Sequence, residues 1–589
     1  MKNFIKTVFR QTLALVVSAL FAIALLAVAS IAILSAVGRK MAIRVPQQAV
    51  LVIDMASEFP DAPVDAGILG PFLTNGELGA RIPSSSVILA INEAADDDRI
   101  KAILLLGAGP DLPETGLTTI AEIRRALDDF RESGKPVYAY VGDTGMRDYA
   151  LASAADKVWM HPMCSFGIEG FSIERLYFGE AFGKYGIGVQ TASCGRYKSA
   201  PDTFAMDHMR PEDREQMQAF LADAWSAWTA MVSESRNVPA DALEALSKEK
   251  GVLNTDEAVE AKLVDRVAYR DELDDELRTL VGANDENSSF SQIDLRDYLL
   301  EETHSIDLEQ PKNLVAVEYI EGEIVDGDGC WEEAGADRIV RDLQSLRSDK
   351  SVKAVVLRVN SPGGGAIASE KIRREVQLLA ADRPVVVSMG RMAASGGYWV
   401  SAPANRIFAE PSTLTGSIGV FSLFIDVEKL SNDLGVHSDT VTTAPYADMY
   451  SIFQKRDERQ MELARRSVDG IYDRFLLVVS SGRGMDREAV AKIAEGRIWS
   501  GTAAVKLGLA DSIGSLDDAI AAAAEMAGIS SDYDVEDIPV TLTFADKLHE
   551  LMSTRAHSAG RLSVLPEKLK AAVNSIEKTH VFARLPFLV

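Results

Sequence analysis

The sequence predicts an α/β fold in which one domain occurs twice, after an apolar N-terminal segment. Two observations lead to this prediction. Short β-branched runs alternate with segments of helical periodicity, which is the pattern of stacked βαβ units. The two halves of the chain also share motifs at a spacing of about 250 residues, a period too long for a solenoid repeat. We therefore expect two homologous domains in tandem.

The predicted strands of each copy are short apolar runs. In the first copy these runs are Val50–Ile53, Lys101–Leu106 and Pro136–Val141. In the second copy they are Leu314–Tyr319, Lys353–Val359 and Pro384–Ser388. Apolar residues at helical spacing predict the helices between them, with Ile120, Ile123, Leu127 and Phe130 in the first copy and Ile367, Ile372, Val376 and Leu379 in the second.

The repeat shows what each copy has lost. The matching pairs include Tyr149 with Tyr398, Gly167 with Gly416 and Gly186 with Gly435. The same alignment places Met146 opposite Ser395, and it places Ala447 opposite Lys198. Each copy therefore keeps one of two reactive side chains, which indicates a single Ser/Lys site shared between the copies.

The N-terminal segment is long enough to cross a bilayer. Residues 13–37 carry no charge, and their helical length exceeds a hydrocarbon core of about 30 Å. A cleaved signal peptide is the competing reading, but the apolar run continues past the candidate cleavage site at Ala27–Ala29. We expect an uncleaved membrane anchor within residues 1–45. Basic residues flank both ends, so charge alone does not set its orientation.

The remaining boundaries follow from composition. The polar, acidic stretch 283–311 is expected to link the copies, so that the first spans 46–300 and the second 312–545. Residues 546–589 form a C-terminal tail, for which loose helical spacing predicts a peripheral helix.

Composition also excludes several classes of function. The net charge of −26 argues against nucleic acid as a partner and against binding to anionic lipid surfaces. Three scattered cysteines cannot form a disulfide framework or a zinc site, and the seven histidines show no ligand spacing. We therefore expect neither a metal nor a cofactor.

The turn around Ser395 suits a nucleophile. Ser395 lies between small residues and is followed by two glycines, so a tight turn from strand into helix would expose its hydroxyl group. The backbone N–H groups of Ser395 and Gly396 would then point toward one position at a helix N-terminus. The glycine loop Ser361–Gly365 follows another strand and allows close backbone approach. Together the two turns predict an oxyanion hole.

A serine nucleophile needs a base, and no histidine is suggested by position. Thr415–Gly419 is not a nucleophile elbow either, because that motif requires glycine at position 415. Lysine can act as the base when burial keeps its amine neutral. Lys198 is the candidate base, and Ser417, in a Gly-Ser turn, is a candidate for orienting the amine.

Five motifs together resemble the long, duplicated form of the bacterial signal peptide peptidase A family, also called the protease IV family. They are Gly195–Ala200, Asn360–Gly365, Ala393–Trp399, Leu414–Gly419, and Gly496–Trp499 with Gly508–Asp511. The resemblance covers residues 46–545 and the N-terminal anchor.

The resemblance implies two ClpP/crotonase-like domains and a serine endopeptidase that degrades cleaved signal peptides and similar hydrophobic peptides. It implies Ser395 as nucleophile, Lys198 as general base, Ser417 as the residue that orients the lysine, and Gly364 and Gly396 in the oxyanion hole. It further implies a homotetramer anchored in the bacterial inner membrane by a single span, with the catalytic part in the periplasm.

Two other functions are compatible with parts of the sequence. A crotonase-like acyl-CoA enzyme would use a similar oxyanion hole, but it would need an acidic catalytic residue and a CoA-binding surface. A catalytically inactive membrane scaffold would have no reason to keep Ser395, Lys198 and Ser417 together.

Overall fold

The structure is a computed structural model of the 589-residue chain, and it describes residues 44–63, 81–107, 115–282, 290–302, 312–330, 333–538 and 581–584. The predicted membrane span at 13–37 lies outside these residues. Within them, no helix combines the length and the apolar character that crossing a membrane requires.

The described elements alternate between strands and helices along most of the chain. The strands are β1 (Ala49–Asp54), β2 (Ile100–Leu106), β3 (Val137–Val141), β4 (Lys157–Met160), β5 (Ser165–Gly167), β6 (Gly188–Cys194), β7 (Val252–Asn254), β8 (Arg266–Val267), β9 (Gln292–Asp294), β10 (Leu314–Glu321), β11 (Glu323–Val325), β12 (Glu333–Gly335), β13 (Val352–Ser361), β14 (Gly363–Gly365), β15 (Val385–Ala394), β16 (Arg406–Ala409), β17 (Leu414–Gly416), β18 (Val420–Asp426), β19 (Ile498–Ser500), β20 (Ser512–Ile513), β21 (Asp534–Ile538) and β22 (Val581–Arg584). The helices are α1 (Ser84–Asp96), α2 (Leu117–Glu132), α3 (Met146–Ala152), α4 (Gly179–Lys184), α5 (Asp202–Ala205), α6 (Pro211–Arg236), α7 (Ala240–Glu249), α8 (Thr255–Glu260), α9 (Arg270–Val281), α10 (Leu295–Glu302), α11 (Ala336–Ser348), α12 (Ala366–Ala380), α13 (Gly396–Ser401), α14 (Glu428–Asp433), α15 (Glu458–Arg483), α16 (Arg487–Ile493), α17 (Gly501–Leu507) and α18 (Leu516–Ala527).

The first copy is built on a parallel sheet with the strand order β8-β4-β3-β2-β1-β9. Side chains of a strand point alternately to opposite faces. Leu51 and Ile103 accordingly belong to one buried cluster, whereas Val50 and Leu104 belong to another. The sheet is therefore covered on both faces, which explains why its strands are apolar without interruption.

The second copy repeats this arrangement. Its parallel strands follow the order β20-β16-β15-β13-β10-β21, which matches the first sheet strand for strand. An antiparallel pair lies beside each sheet, β5 with β7 in the first copy and β17 with β19 in the second. The duplication read from the sequence is thus present in the topology.

A further sheet joins the copies and has the order β12-β11-β14-β22-β18-β6. Its β6 strand comes from the first copy and pairs antiparallel with β18 of the second, from Val420 opposite Cys194 to Asp426 opposite Gly188. This pairing carries the loop that follows β6, and with it Lys198, against the second copy.

A buried ion cluster also joins the copies. Arg358 of β13 donates to Asp61 Oδ1 and to Glu122 Oε1, each at 2.8 Å. All three side chains are at most 2% exposed. Because breaking a buried pair leaves a charge unpaired, this cluster disfavours separation of the two copies.

Several details differ from the sequence-based expectations. Ile367 is 73% exposed, although Ile372, Val376 and Leu379 of the same helix are buried as predicted. The stretch expected to be a plain linker contains β9, which extends the first sheet, and α10. Sequence reasoning missed these elements because they are short and polar on one side. Of the tail expected to form a peripheral helix, the described residues 581–584 form a strand, and the rest lies outside the described residues.

Candidate active site

Ser395 occupies a strained turn between β15 and α13. β15 continues to Ala394, six residues beyond the predicted end at Ser388, and α13 begins at Gly396. Ser395 has φ 55° and ψ −112°, a conformation that costs about 1–3 kcal/mol for a residue with a side chain. The hydroxyl is fully buried and lies 2.7 Å from Lys198 Nζ.

The equivalent turn of the first copy is relaxed. Helix α3 begins at Met146 itself, and the preceding Gly145 has φ −98°. Met146 is not among the described residues with positive φ. Strain therefore occurs at the serine and is absent where the repeat has methionine.

The Lys198 amine has three polar partners, all of them in the second copy. It lies 2.7 Å from Ser395 Oγ, 3.0 Å from Ser417 Oγ and 3.1 Å from the Ser417 carbonyl oxygen. The side chain is 1% exposed, and burial lowers the pKa of its amine well below the ordinary value. No carboxylate of the described residues forms an ion pair with it. As an ammonium group, Lys198 donates to all three oxygens, and after loss of a proton it keeps two N–H donors and gains a lone pair.

Ser417 lies directly after β17 and is held by both of its backbone groups. Its φ is 50°, and its N–H donates to the Arg497 carbonyl at 2.7 Å. The structure thus brings Ser395, Lys198 and Ser417 into one cluster, although the first two are separated by 197 positions in the chain.

The two glycine turns meet beside Ser395. A Cβ atom placed on Gly396 would lie 3.0 Å from the Gly364 nitrogen and 2.5 Å from Ser369 Oγ. Position 396 therefore requires glycine, because a side chain would collide with these neighbours. The Ser395 N–H, in contrast, donates to the Gly416 carbonyl at 2.9 Å. The expectation that this N–H also points into the oxyanion hole is wrong, because the contact between β15 and β17 already uses it.

Gln216, which the sequence analysis missed, braces the lysine loop. Its amide nitrogen donates to the Tyr197 carbonyl at 3.0 Å and to Asp213 at 2.8 Å, and its oxygen accepts from the Ile498 N–H at 3.0 Å. The residue is 1% exposed. No local sequence signal distinguishes this glutamine from the surface glutamines of a long helix.

The surroundings of Gly496 explain why this motif residue is a glycine. A Cβ atom there would lie 2.6 Å from the Cβ atom of Lys198, and Gly496 has φ 75°. The Tyr197 N–H donates to the Glu495 carbonyl at 2.9 Å. The two loops are therefore in direct backbone contact, which fixes the base of the Lys198 side chain.

Asn360, the first residue of the glycine loop motif, braces that loop from the other side. Its side chain donates to Glu321 at 2.9 Å and accepts from the Met392 N–H at 3.1 Å. The cluster resembles no metal centre, and no group of potential metal ligands occurs among the described residues.

Comparisons with known proteins identify the family of this chain. The model of peptidase family S49 matches the chain twice, at residues 129–284 and 377–530. The chain is similar to "Protease 4" of Haemophilus influenzae, with 37% identity over 82% of this chain and 79% of that protein. It is 35% identical to "Protease 4" of Salmonella typhi over 90% of this chain and 87% of that protein. A "Putative signal peptide peptidase SppA" of Enterococcus faecium is 35% identical over 40% of this chain and 71% of its own length.

Proposed function

We propose a division of labour between the two copies, starting from the fact that this chain belongs to peptidase family S49 and is a serine peptidase. In this proposal the second copy supplies the nucleophile Ser395, and the first supplies the general base Lys198. The observation that carries it is the 2.7 Å contact between Lys198 Nζ and Ser395 Oγ inside a cluster that contains no carboxylate.

The first step is attack of Ser395 on a peptide carbonyl. Because desolvation lowers the pKa of Lys198, its neutral amine is easier to reach than that of a solvated lysine, and this neutral form accepts the serine proton. The Ser395 oxygen forms a bond to the carbonyl carbon, and the carbonyl π electrons move to the oxygen. The Lys198 ammonium then donates its proton to the leaving nitrogen as the C–N bond breaks.

Ser417 directs the lone pair of the amine in this proposal. Its carbonyl and hydroxyl oxygens accept the two N–H groups of Lys198, at 3.1 and 3.0 Å. The lone pair is then left facing Ser395. When the amine is protonated, the same oxygens stabilise the ammonium group.

The N–H groups of Gly364 and Gly396 are the proposed oxyanion hole. Each such donor contributes about 3–4 kcal/mol to transition-state stabilisation in hydrolases. Support comes from the close approach of the two glycine turns and from the position of Gly396 at the N-terminus of α13. Water then attacks the acyl-enzyme while Lys198 accepts its proton, and Ser395 leaves as the acyl C–O bond breaks and takes that proton back from Lys198. The reaction needs no metal and no cofactor.

The proposed substrates are cleaved signal peptides and similar hydrophobic peptides. Support comes from the name of the Enterococcus faecium relative and from the apolar segment 13–37, which would hold the enzyme at the membrane where such peptides remain. We further propose a single-pass protein of the bacterial inner membrane with its catalytic part in the periplasm. The same proposal includes a homotetramer and a ClpP/crotonase-like fold for each copy. In it the two copies span residues 46–300 and 312–545, and a tail spans residues 546–589.

The test is hydrolysis of a fluorogenic apolar peptide by the full-length protein in detergent, for wild type, Ser395→Ala and Lys198→Ala. We expect both variants to lose activity while circular dichroism shows an unchanged fold. Labelling by a fluorophosphonate should disappear in Ser395→Ala. Full activity of Lys198→Ala would contradict the assignment of the base, and full activity of Ser395→Ala would contradict the nucleophile.

A further inference from the structure

A second serine of the site, Ser361, ends β13 and begins the glycine loop Ser361–Gly365. The residue has no exposed surface. Its Oγ donates to the Gly322 carbonyl at 2.6 Å and accepts from the Gly363 N–H at 3.1 Å. One hydroxyl group therefore joins the turn after β10 to the backbone directly before Gly364.

The hydroxyl group holds a backbone that is flexible by composition. Gly363 has φ 95°, and glycine loses more conformational freedom on folding than any other residue. Strand pairing holds β14 along its edges, and two serine hydroxyls hold its ends. Ser361 Oγ holds the Gly363 N–H, and Ser369 Oγ donates to the Gly365 carbonyl at 2.9 Å. Gly364 lies between these two anchors, so they help to set the direction of its N–H.

The main chain of Ser361 also contacts the beginning of α13. A Cβ atom placed on Gly397 would lie 2.8 Å from the Ser361 carbonyl oxygen and 3.4 Å from its Cβ atom. In the register of β13 with β15, Ser361 lies opposite Ala393, two residues before the nucleophile. Ser361 therefore contacts both turns that carry the proposed oxyanion donors.

The repeat shows that this hydroxyl group is not needed to form the sheet. The match that pairs Lys101 with Lys353 places Gly109 opposite Ser361. The first copy nevertheless has the same order of parallel strands. The Ser361 hydroxyl is thus missing from the copy that also lacks Ser395 and the run of glycines, which favours a role in the reaction over a role in the fold.

From these contacts we propose that Ser361 is a positioning residue for the oxyanion hole, and that its hydroxyl group holds the glycine loop with the Gly364 N–H directed at the oxyanion. This inference rests on the proposed function. A donor stabilises an oxyanion most when it is already oriented before the reaction begins. Without the hydroxyl group the Gly363 N–H and the Gly322 carbonyl both lose a partner, and the loop can turn the Gly364 N–H away.

The first test measures hydrolysis of a fluorogenic apolar peptide by the full-length wild type and three variants. Removal of one oxyanion donor lowers kcat about 100- to 1000-fold, so a donor that is kept but loosely held should lower kcat roughly 10- to 100-fold in Ser361→Ala, with little change in KM. Ser361→Cys nearly keeps the shape but bonds weakly, so its kcat should lie between those of alanine and wild type. If the alanine variant does not fold, the cysteine variant decides.

Ser401→Ala is the matched control for this test. Ser401 is also fully buried and its Oγ also donates to a backbone carbonyl, that of Gly397, at 2.7 Å inside α13. The control loses an equivalent hydrogen bond without touching the anchor of Gly363, so its kcat should stay close to that of wild type.

A peptide aldehyde separates the oxyanion hole from general damage to the fold. Ser395 Oγ bonds to the aldehyde carbon, the carbonyl electrons move to the oxygen, and the serine proton passes to Lys198, so the adduct carries the oxyanion. We expect Ser361→Ala to weaken inhibition by the aldehyde by the same factor as kcat/KM. Binding of the uncleaved peptide, measured in a Ser395→Ala background, should not change.

Equal kcat and equal aldehyde inhibition in the Ser361 variants and Ser401→Ala would overturn this inference. That result would leave the proposed function intact as long as Ser395→Ala is inactive. Full activity of Ser395→Ala would instead contradict the proposed function, and with it the inference.

Discussion

The side chain of Gln216 accepts a hydrogen bond from the Ile498 N–H at 3.0 Å, and this bond links a helix of the first copy to a strand of the second. The same side chain holds the carbonyl of Tyr197, the residue before Lys198. Ile498 lies in β19, which pairs with β17 just before Ser417. One glutamine therefore links the lysine loop to the strand pair that ends beside Ser417.

Gln216→Leu should lower kcat without unfolding the protein. The substitution removes the bonds to Tyr197, Asp213 and Ile498, and net losses of about 1 kcal/mol per bond predict a decrease in kcat of roughly tenfold or more. KM should change little, because Gln216 is buried and its hydrogen bonds go to Tyr197, Asp213 and Ile498 and not to Ser395 or the glycine turns. Gln218→Leu on the exposed face of the same helix is the matched control and should keep wild-type kinetics. Steady-state kinetics with equal kcat for the two variants would contradict a positioning role for Gln216.

Lys198→Met should abolish hydrolysis and stabilise the fold at pH 7. The folded protein holds the amine with a depressed pKa, whereas the unfolded chain has the ordinary value near 10.5. Between these two pKa values the unfolded state binds more protons, so wild-type stability rises with pH across that window. Each unit of depression costs about 1.4 kcal/mol at lower pH, and methionine removes this cost.

Urea unfolding at pH 7 and pH 10 measures this effect. The advantage of Lys198→Met in free energy of unfolding should be largest at pH 7 and should shrink toward pH 10. An advantage that does not depend on pH would mean that the buried amine is not the cause.

Ser417→Ala should retain part of the activity that Ser395→Ala loses completely. The variant loses one of two groups that hold the amine, because the carbonyl of residue 417 remains 3.1 Å from Lys198 Nζ. We expect kcat to fall by roughly 10- to 100-fold, the scale of one hydrogen bond to a charged group. Ser401→Ala is the control for packing effects, because it also removes a buried hydroxyl group, in this case one in α13. Unchanged kcat in Ser417→Ala would remove this hydroxyl from the mechanism.

Gly396→Ala should block the proposed oxyanion hole. Alanine keeps the N–H at position 396, but its methyl group would lie 2.5 Å from Ser369 Oγ and 3.0 Å from the Gly364 nitrogen, so the Gly364 turn has to shift. A shift that takes the Gly364 N–H away from the oxyanion predicts a decrease in kcat of roughly 100-fold or more. Gly470→Ala is the control, because its methyl group meets nothing within 4 Å and its helix should become more stable. Equal rates for the two alanine variants would place the oxyanion hole elsewhere.

Arg358→Met should destabilise the contact between the copies by about 3–5 kcal/mol, because it leaves two carboxylates buried without a cation. Burial already raises the pKa of Glu122, and loss of Arg358 raises it further. The folded variant then binds more protons than the unfolded chain, so its deficit should shrink as pH falls from 7 to 5. Arg341→Met, at a side chain that is 59% exposed, should change the free energy of unfolding by less than about 0.5 kcal/mol. Chemical denaturation at both pH values provides the measurement.

Much of the fold was predictable because its signals are local. The six predicted strands all occur, since buried parallel strands require uninterrupted apolar runs that are visible in any short window. The duplication was equally visible, because corresponding turns keep their glycines. Short elements such as β9 and α10 were missed, since their stability comes from packing against β1 and α1 rather than from their own periodicity.

The sequence by itself determined the α/β class and the duplication, and it proposed the reactive side chains. Reciprocal loss in the repeat, together with the family resemblance, predicted the pair Ser395 and Lys198, although they are 197 positions apart. Only the tertiary structure decided how the amine is oriented, that Gln216 braces the lysine loop, and that the Ser395 N–H is already used. It alone also brought the C-terminal strand beside Gly364. These contacts depend on how the sheets of the two copies pack together, and distances of that kind leave no periodic trace in a linear chain.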